Sequence, residues 1–178
     1  MIAMFKRFWI KVRDDEKGVA LAEAGLIFPL LMTIMLGTFD VGNAVLANQK
    51  TIRASQVTAD LITRDRAVTP TDIDDAVYAG ELALVPFPTS SSYGVDVVSI
   101  RFDEDADAEI IWRETVNMSP VASVLTDVEA LSEADSGVVM VTSQYRFEPI
   151  FAGFVIDEFV MEEVAFARGR RSATINLE

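Results

Sequence analysis

Apolar and polar positions divide the chain into two regimes. From Val19 to Phe39 there are 21 residues with a single charge, Glu23, and Asp40 ends the run. Roughly 20 mostly apolar residues cross a bilayer core as a helix, so residues 19–39 are expected to be a transmembrane helix. Asn48 to Arg66 contains no Pro or Gly, and Ile52, Val57, Leu61 and Ile62 fall roughly on one stripe. That spacing predicts a continuation of the helix as a polar-sided stem over residues 40–66. Lys50, Arg53, Arg64 and Arg66 on it read as a solvated charged face.

Beyond the stem the pattern changes. Thr69-Pro70-Thr71-Asp72 is a helix start, with a Thr cap, Pro at the first position and Asp in the first turn. The helix it opens should reach about Leu84 and bury Ile73, Val77 and Leu84. Pro86 to Ser92 reads as a loop. Val95–Phe102 alternates, with Val98, Ile100 and Phe102 on one face, and Ile110–Val116 places Ile110, Trp112 and Val116 together. The acidic turn between them predicts a hairpin. Val121–Ala134 reads as a helix crossing the domain. Val138–Phe147 is a strand with Val139, Val141, Tyr145 and Phe147 on one face. An apolar, Gly-containing segment follows Pro149, a last strand is expected near Phe159–Ala167, and residues 169–178 read as a loose polar tail. The fold class expected is α+β: a long N-terminal membrane helix continuing into a stem, then a small antiparallel sheet packed by one or two helices. The divisions are residues 1–18, 19–39, 40–66, 67–168 and 169–178.

Charge sharpens this picture. Residues 1–18 carry a net +2, whereas the whole 178-residue chain carries −13 and residues 67–167 alone carry −17. Basic residues ahead of the apolar run orient the N-terminus to the cytoplasm and the acidic domain outward. A domain so acidic repels phosphate backbones, so nucleic acid is not an expected partner. The chain has no cysteine and no histidine, which removes disulfides, thiol catalysis and the commonest general base and metal ligand.

The edge of the apolar run carries a second pattern. Gly18 stands where the charged leader meets it, and Glu23 lies five residues on. Cleavage after Gly18 would make Val19 the first residue and Glu23 the fifth. This arrangement resembles the type IV prepilin signal. Residues i and i+4 share a helix face, so Glu23 lies one turn above the new terminal ammonium. A carboxylate in apolar surroundings is costly unless paired. The bland alternative is a Glu near the membrane edge that reaches headgroups or water. Pro29 cannot donate to the carbonyl of Gly25, so a kink or loosening is expected there. Small residues recur at Gly18/Ala22 and Ala20/Ala24, a spacing that permits close helix contact.

Chemistry elsewhere is sparse. Asp103, Asp105, Asp107, Ile110 and Glu114 fall at positions 1, 3, 5, 8 and 12 of a calcium loop, but position 6 is Ala108 rather than Gly and the flanks alternate like strands. A solvated acidic turn is the expected reading, with no metal site. Ser90–Ser92 lack a His partner and a nucleophile turn, no phosphate loop is present, and Glu162 and Glu163 diverge on a strand. Arg168, Arg170 and Arg171 read as solvated. No enzyme activity, cofactor or small-molecule substrate is expected.

The block FWIKVRDDEKGVALAEAGLIFPLLMTIMLGTFDVGNAVL resembles the start of TadE-like proteins of the tight-adherence (Tad) pilus system. The later block SGVVMVTSQYRFEPIFAGF is similar to that family's last strand region, with its Tyr-x-Phe/Tyr-x-Pro turn. The resemblance implies a minor pseudopilin in a bacterial inner membrane. Its partners would be the bilayer, other pilus assembly or pseudopilin subunits, and a prepilin peptidase cutting after Gly18. Ala24 follows Glu23 where processed members commonly carry Tyr. The alternative implied is an uncleaved single-pass tether whose periplasmic domain binds a partner of the envelope or secretion apparatus.

Overall fold

The computed structural model describes residues 16–151, 153 and 157–178. Most of the basic leader lies outside the described residues, as does part of the apolar segment after Pro149. The first element is one uninterrupted helix, α1 (Glu16–Ile62). It passes through Pro29 without a break in the helix. The hydroxyls of Thr33 and Thr38 donate to carbonyls one turn back, Pro29 at 2.9 Å and Ile34 at 2.8 Å. In an apolar stretch this local bonding satisfies a hydroxyl without an outside partner.

The outer half of α1 is the spine of the folded domain. Ala47, Thr51, Ala54, Thr58 and Ile62 recur every three to four residues and are buried, and Asp40, also buried, lies two turns before Ala47. The buried row is therefore built from small and hydroxylated residues, while Ile52, Val57 and Leu61 of the expected stripe are only half-buried on its flank. Thr51 and Thr63 donate to the carbonyls of Ala47 and Ala59, which makes them tolerable inside. The helix ends at Ile62 rather than Arg66, because the backbone turns into the short strand β1 (Ala67–Val68).

Helix α2 (Pro70–Ala83) starts as expected. Thr69 and Asp72 form a reciprocal capping box, and Ile73 and Leu84 are buried. Its far end is held by Lys50, whose ammonium donates to the carbonyls of Val85 at 2.6 Å and Ala83 at 3.4 Å. Lys50 is thus a C-terminal cap rather than part of a solvated face. Helix α2 lies close against α1. A Cβ at Gly80 would sit 2.5 Å from Thr58 Oγ1 and 3.0 Å from the Tyr93 hydroxyl.

Strands β2 (Tyr93–Phe102), β3 (Ala108–Val116), β4 (Gly137–Phe147) and β5 (Phe159–Ala167) form an antiparallel sheet in the order β3-β2-β4-β5. Val95, Val97, Val139, Val141 and Tyr145 face α1 and α2. Val98, Ile100, Phe102 and Met140 face the other way. A bulge on the β2–β3 ladder pairs Ser99 with Trp112 and Ile100 with Ile110. It separates two residues the alternation had put together: Trp112 turns to the helix-side core, while Ile110 lies beside Ile100 on the second face.

That second face is covered by the segment expected to be one helix over Val121–Ala134. It is instead a single turn, α3 (Val124–Asp127), followed by a 3₁₀ turn at Glu129–Leu131. Val124 and Val128 still point into the core. Asp96 pins the segment down. Its carboxylate receives Arg113, Thr115 Oγ1 at 2.9 Å and the backbone N–H of Val121 at 3.0 Å, and Arg113 also donates to Val121 O. Burial would push the Asp96 carboxyl up, but these donors together hold it below the usual carboxylate range.

The tail is not loose. Ile175 is 1% exposed, and its carbonyl accepts from Ser99 Oγ and Trp112 Nε1, each at 2.8 Å. Strand β6 (Asn176–Leu177) pairs parallel with β1. Arg168, Arg170 and Arg171 are paired with Glu133, Asp60 and Asp65 on the surface.

Candidate functional site: the bare helix and the foot of the domain

The inner half of α1 projects beyond the domain as a bare apolar rod. Leu26 and Phe28 are well exposed, as are Leu31, Ile34 and Met35. It is the one helix among the described residues long and apolar enough to cross a membrane, and it fits a membrane anchor. Soluble proteins do not expose a continuous apolar surface of this kind without covering it.

Gly18, Val19 and Glu23 all lie within the first turns of this helix, and Val19 and Glu23 are exposed. A Cβ at Gly18 would meet nothing within 4 Å. Nothing in the fold therefore requires glycine there. Glu23 lies one turn beyond Val19 and has no ion-pair partner among the described residues.

The sequence reading missed the foot of the domain, where the bare rod meets the sheet. Asp40, 3% exposed, closes the apolar run. Its carboxylate accepts from the backbone N–H of Ile150 at 3.1 Å and of Phe151 at 2.8 Å. The ring of Phe151 meets that of Phe39 edge-on, with centroids 5.6 Å apart. The turn after β4 is therefore fastened to the helix at the level where the apolar run ends. One sequence signal was available: Asp40 lies two turns before Ala47, on the same face of α1 as Ala47, Thr51 and Ala54. Beside this junction opens a cleft of about 590 Å³ between Phe39, Asn43, the Pro86–Pro88 loop and Phe147.

The acidic hairpin turn lies at the opposite end of the sheet. Asp103 Oδ1 accepts from the backbone N–H groups of Asp105 at 3.0 Å and Asp107 at 2.9 Å, and Ala106 takes a left-handed φ of 64°. Asp103 thus shapes the turn with its own carboxylate. Glu114 is paired opposite Val97. At about 3.3 Å per residue, β3 carries it roughly 20 Å from the turn. No group of three or more acidic side chains suited to a metal ion occurs among the described residues.

The model of the family described as TadE-like protein matches residues 18–60, which takes in the bare rod and nearly all of the buried outer half of α1. Over that stretch the chain is similar to TadE-like proteins. No curated protein and no solved structure matches it.

Proposed function

We propose, from the TadE-like match over residues 18–60, that the chain is a minor pseudopilin-like component of a Tad-type pilus assembly machine. It sits in a bacterial inner membrane by the inner half of α1, with its leader in the cytoplasm and its acidic domain in the periplasm. Its role is structural rather than catalytic. Its partners are other assembly or pseudopilin subunits, which it meets through the helix.

The observation that carries this reading is the division of labour along α1. One helix of 47 residues serves as the core of the domain over its outer half and stands uncovered over its inner half. A subunit built this way can pass its bare half from lipid into a bundle of like helices without disturbing its own fold. The small residues at Gly18/Ala22 and Ala20/Ala24 suit close helix approach in either setting.

Processing by a prepilin peptidase between Gly18 and Val19 completes the proposal. Cleavage creates an ammonium on Val19, one turn below the exposed Glu23. In a poorly solvated bundle that pair matters because either charge alone is expensive. Intact-mass and N-terminal sequencing of the protein purified from its membrane tests this. A mature chain beginning at Val19 is expected. A chain still beginning at Met1 in cells with an active prepilin peptidase would overturn the pseudopilin reading in favour of the uncleaved tether.

A further inference from the structure

We propose that the turn at Pro149–Phe151 is a second membrane contact, with Ile150 and Phe151 entering the headgroup–hydrocarbon boundary of the leaflet from which α1 emerges. The inference rests on the reading of α1 as a membrane anchor.

Height is the first argument. Residues 19–39 rise about 1.5 Å each, or roughly 31 Å, close to the thickness of a bilayer hydrocarbon core. Asp40 therefore stands at the outer boundary of that core. Its carboxylate holds the backbone of Ile150 and Phe151 at the same level. An acid at this depth is costly unless bonded, and the turn supplies its donors. Anchor and turn thus support each other.

Surface chemistry is the second. Ile150 is 67% exposed and Phe151 42%. Phe39, at the end of the apolar run, is 54% exposed and in ring contact with Phe151. The apolar surface of the rod therefore runs on without interruption onto the turn. On a domain held clear of the membrane this patch would face water. At the boundary, it is buried by the same lipid that covers α1. Two contacts on different elements also fix rotation about the helix axis, which a single span leaves free.

The absence of cysteine allows the test on the full chain. Single-cysteine variants Ile150→Cys, Leu31→Cys and Glu104→Cys are labelled with an environment-sensitive fluorophore and reconstituted in phosphatidylcholine vesicles. Quenching by aqueous iodide is compared with quenching by a lipid spin-labelled near the headgroup. The expected result is a severalfold lower iodide quenching at position 150 than at position 104, with strong quenching by the shallow lipid label. Iodide access at 150 equal to that at 104, while Leu31→Cys is protected, overturns the second contact and leaves the anchor intact. Iodide access at position 31 overturns the anchor reading itself. Protection at 150 that comes without lipid quenching and grows with protein density assigns the patch to a second copy of the chain and overturns the proposal.

Discussion

The indole N–H of Trp112 donates to the backbone carbonyl of Ile175 at 2.8 Å, joining the middle of an edge strand to the last residues of the chain. Ser99 Oγ donates to the same oxygen. Removing residues 173–178 takes away a fully buried Ile and leaves two buried donors without an acceptor. Ile→Ala in a core costs about 2–5 kcal/mol, and each orphaned donor about 1–3 kcal/mol. Urea unfolding of the detergent-solubilised chain should show Ile175→Ala destabilised by about 2–4 kcal/mol and the truncation by more. A truncated chain with an unchanged midpoint would contradict the assignment of the tail to the core.

Gly80 tests the α1–α2 contact. Gly→Ala inside a helix ordinarily gains up to about 1 kcal/mol of propensity. Here the new methyl meets Thr58 Oγ1 at 2.5 Å, with the carbonyl of Ala54 at 3.3 Å. Gly80→Ala is therefore expected to destabilise by about 1–2 kcal/mol. Thr58→Ala in the same chain removes the obstructing hydroxyl and should recover part of the loss. Additive effects in this double-mutant cycle would argue against direct contact.

Asp96 and Arg113 predict a pH dependence. The native carboxyl of Asp96 titrates below its ordinary value, so the stabilisation it gives is complete above about pH 4, where the unfolded chain is ionised. It is lost as pH falls through the depressed native value. Arg113→Met leaves a buried carboxylate without its cation, at a cost of about 3–5 kcal/mol. Without the Arg113 donors and charge the Asp96 carboxyl rises from its depressed native position, so the variant should lose less stability on acidification than the parent does. Melting temperatures from pH 3 to 7 would reveal parallel profiles if the pair were only incidental.

The legibility of the fold follows from how local each determinant is. The capping box at Thr69–Asp72 and the alternation of Val98, Ile100 and Phe102 are set by neighbours a few residues apart, and both were visible. The buried row of α1 was not, because Ala, Ser and Thr carry little hydrophobic signal and are chosen here for closeness to α2. The bulge at Ser99/Ile100 shifts Trp112 by one position, and alternation cannot show which strand carries an extra residue. Val124 and Val128 have true helical spacing, yet the chain there forms only single turns, entered from Val121, which Asp96 and Arg113 bind. The tail pairs with residues more than a hundred positions away. At the candidate site, Gly18 and Glu23 stand out by local pattern alone, whereas the turn held by Asp40 depends on a contact across 110 residues.

Processing makes a prediction the fold itself does not confuse. The space around Gly18 is open, so Gly18→Val leaves the domain intact and should affect only the peptidase. A precursor heavier by residues 1–18 is the expected product. Glu23→Gln should be cleaved normally but impaired in assembly, and Glu23→Asp should partly retain it. If both Glu23 substitutions prove silent in a piliation assay, the pairing role fails.

Calcium at millimolar concentration should leave the melting temperature unchanged. A ligand specific to the native state at 100 times its dissociation constant would add about 2.7 kcal/mol. The Asp103 carboxylate is already engaged with the turn backbone. A calcium-dependent rise in melting temperature that Asp105→Ala abolishes would show a site at the hairpin after all.

The unbroken course of α1 from the apolar run into the sheet makes the domain a lever. There is no joint between Phe39 and Ile62 at which an angle can be absorbed. The arm from Asp40 to Ile62 is about 33 Å long, so a helix tilt of about 20° sweeps its outer end sideways by roughly 11 Å. Whatever leans on the helix within the membrane is thereby read out as a displacement at the acidic turn on the far side of the domain.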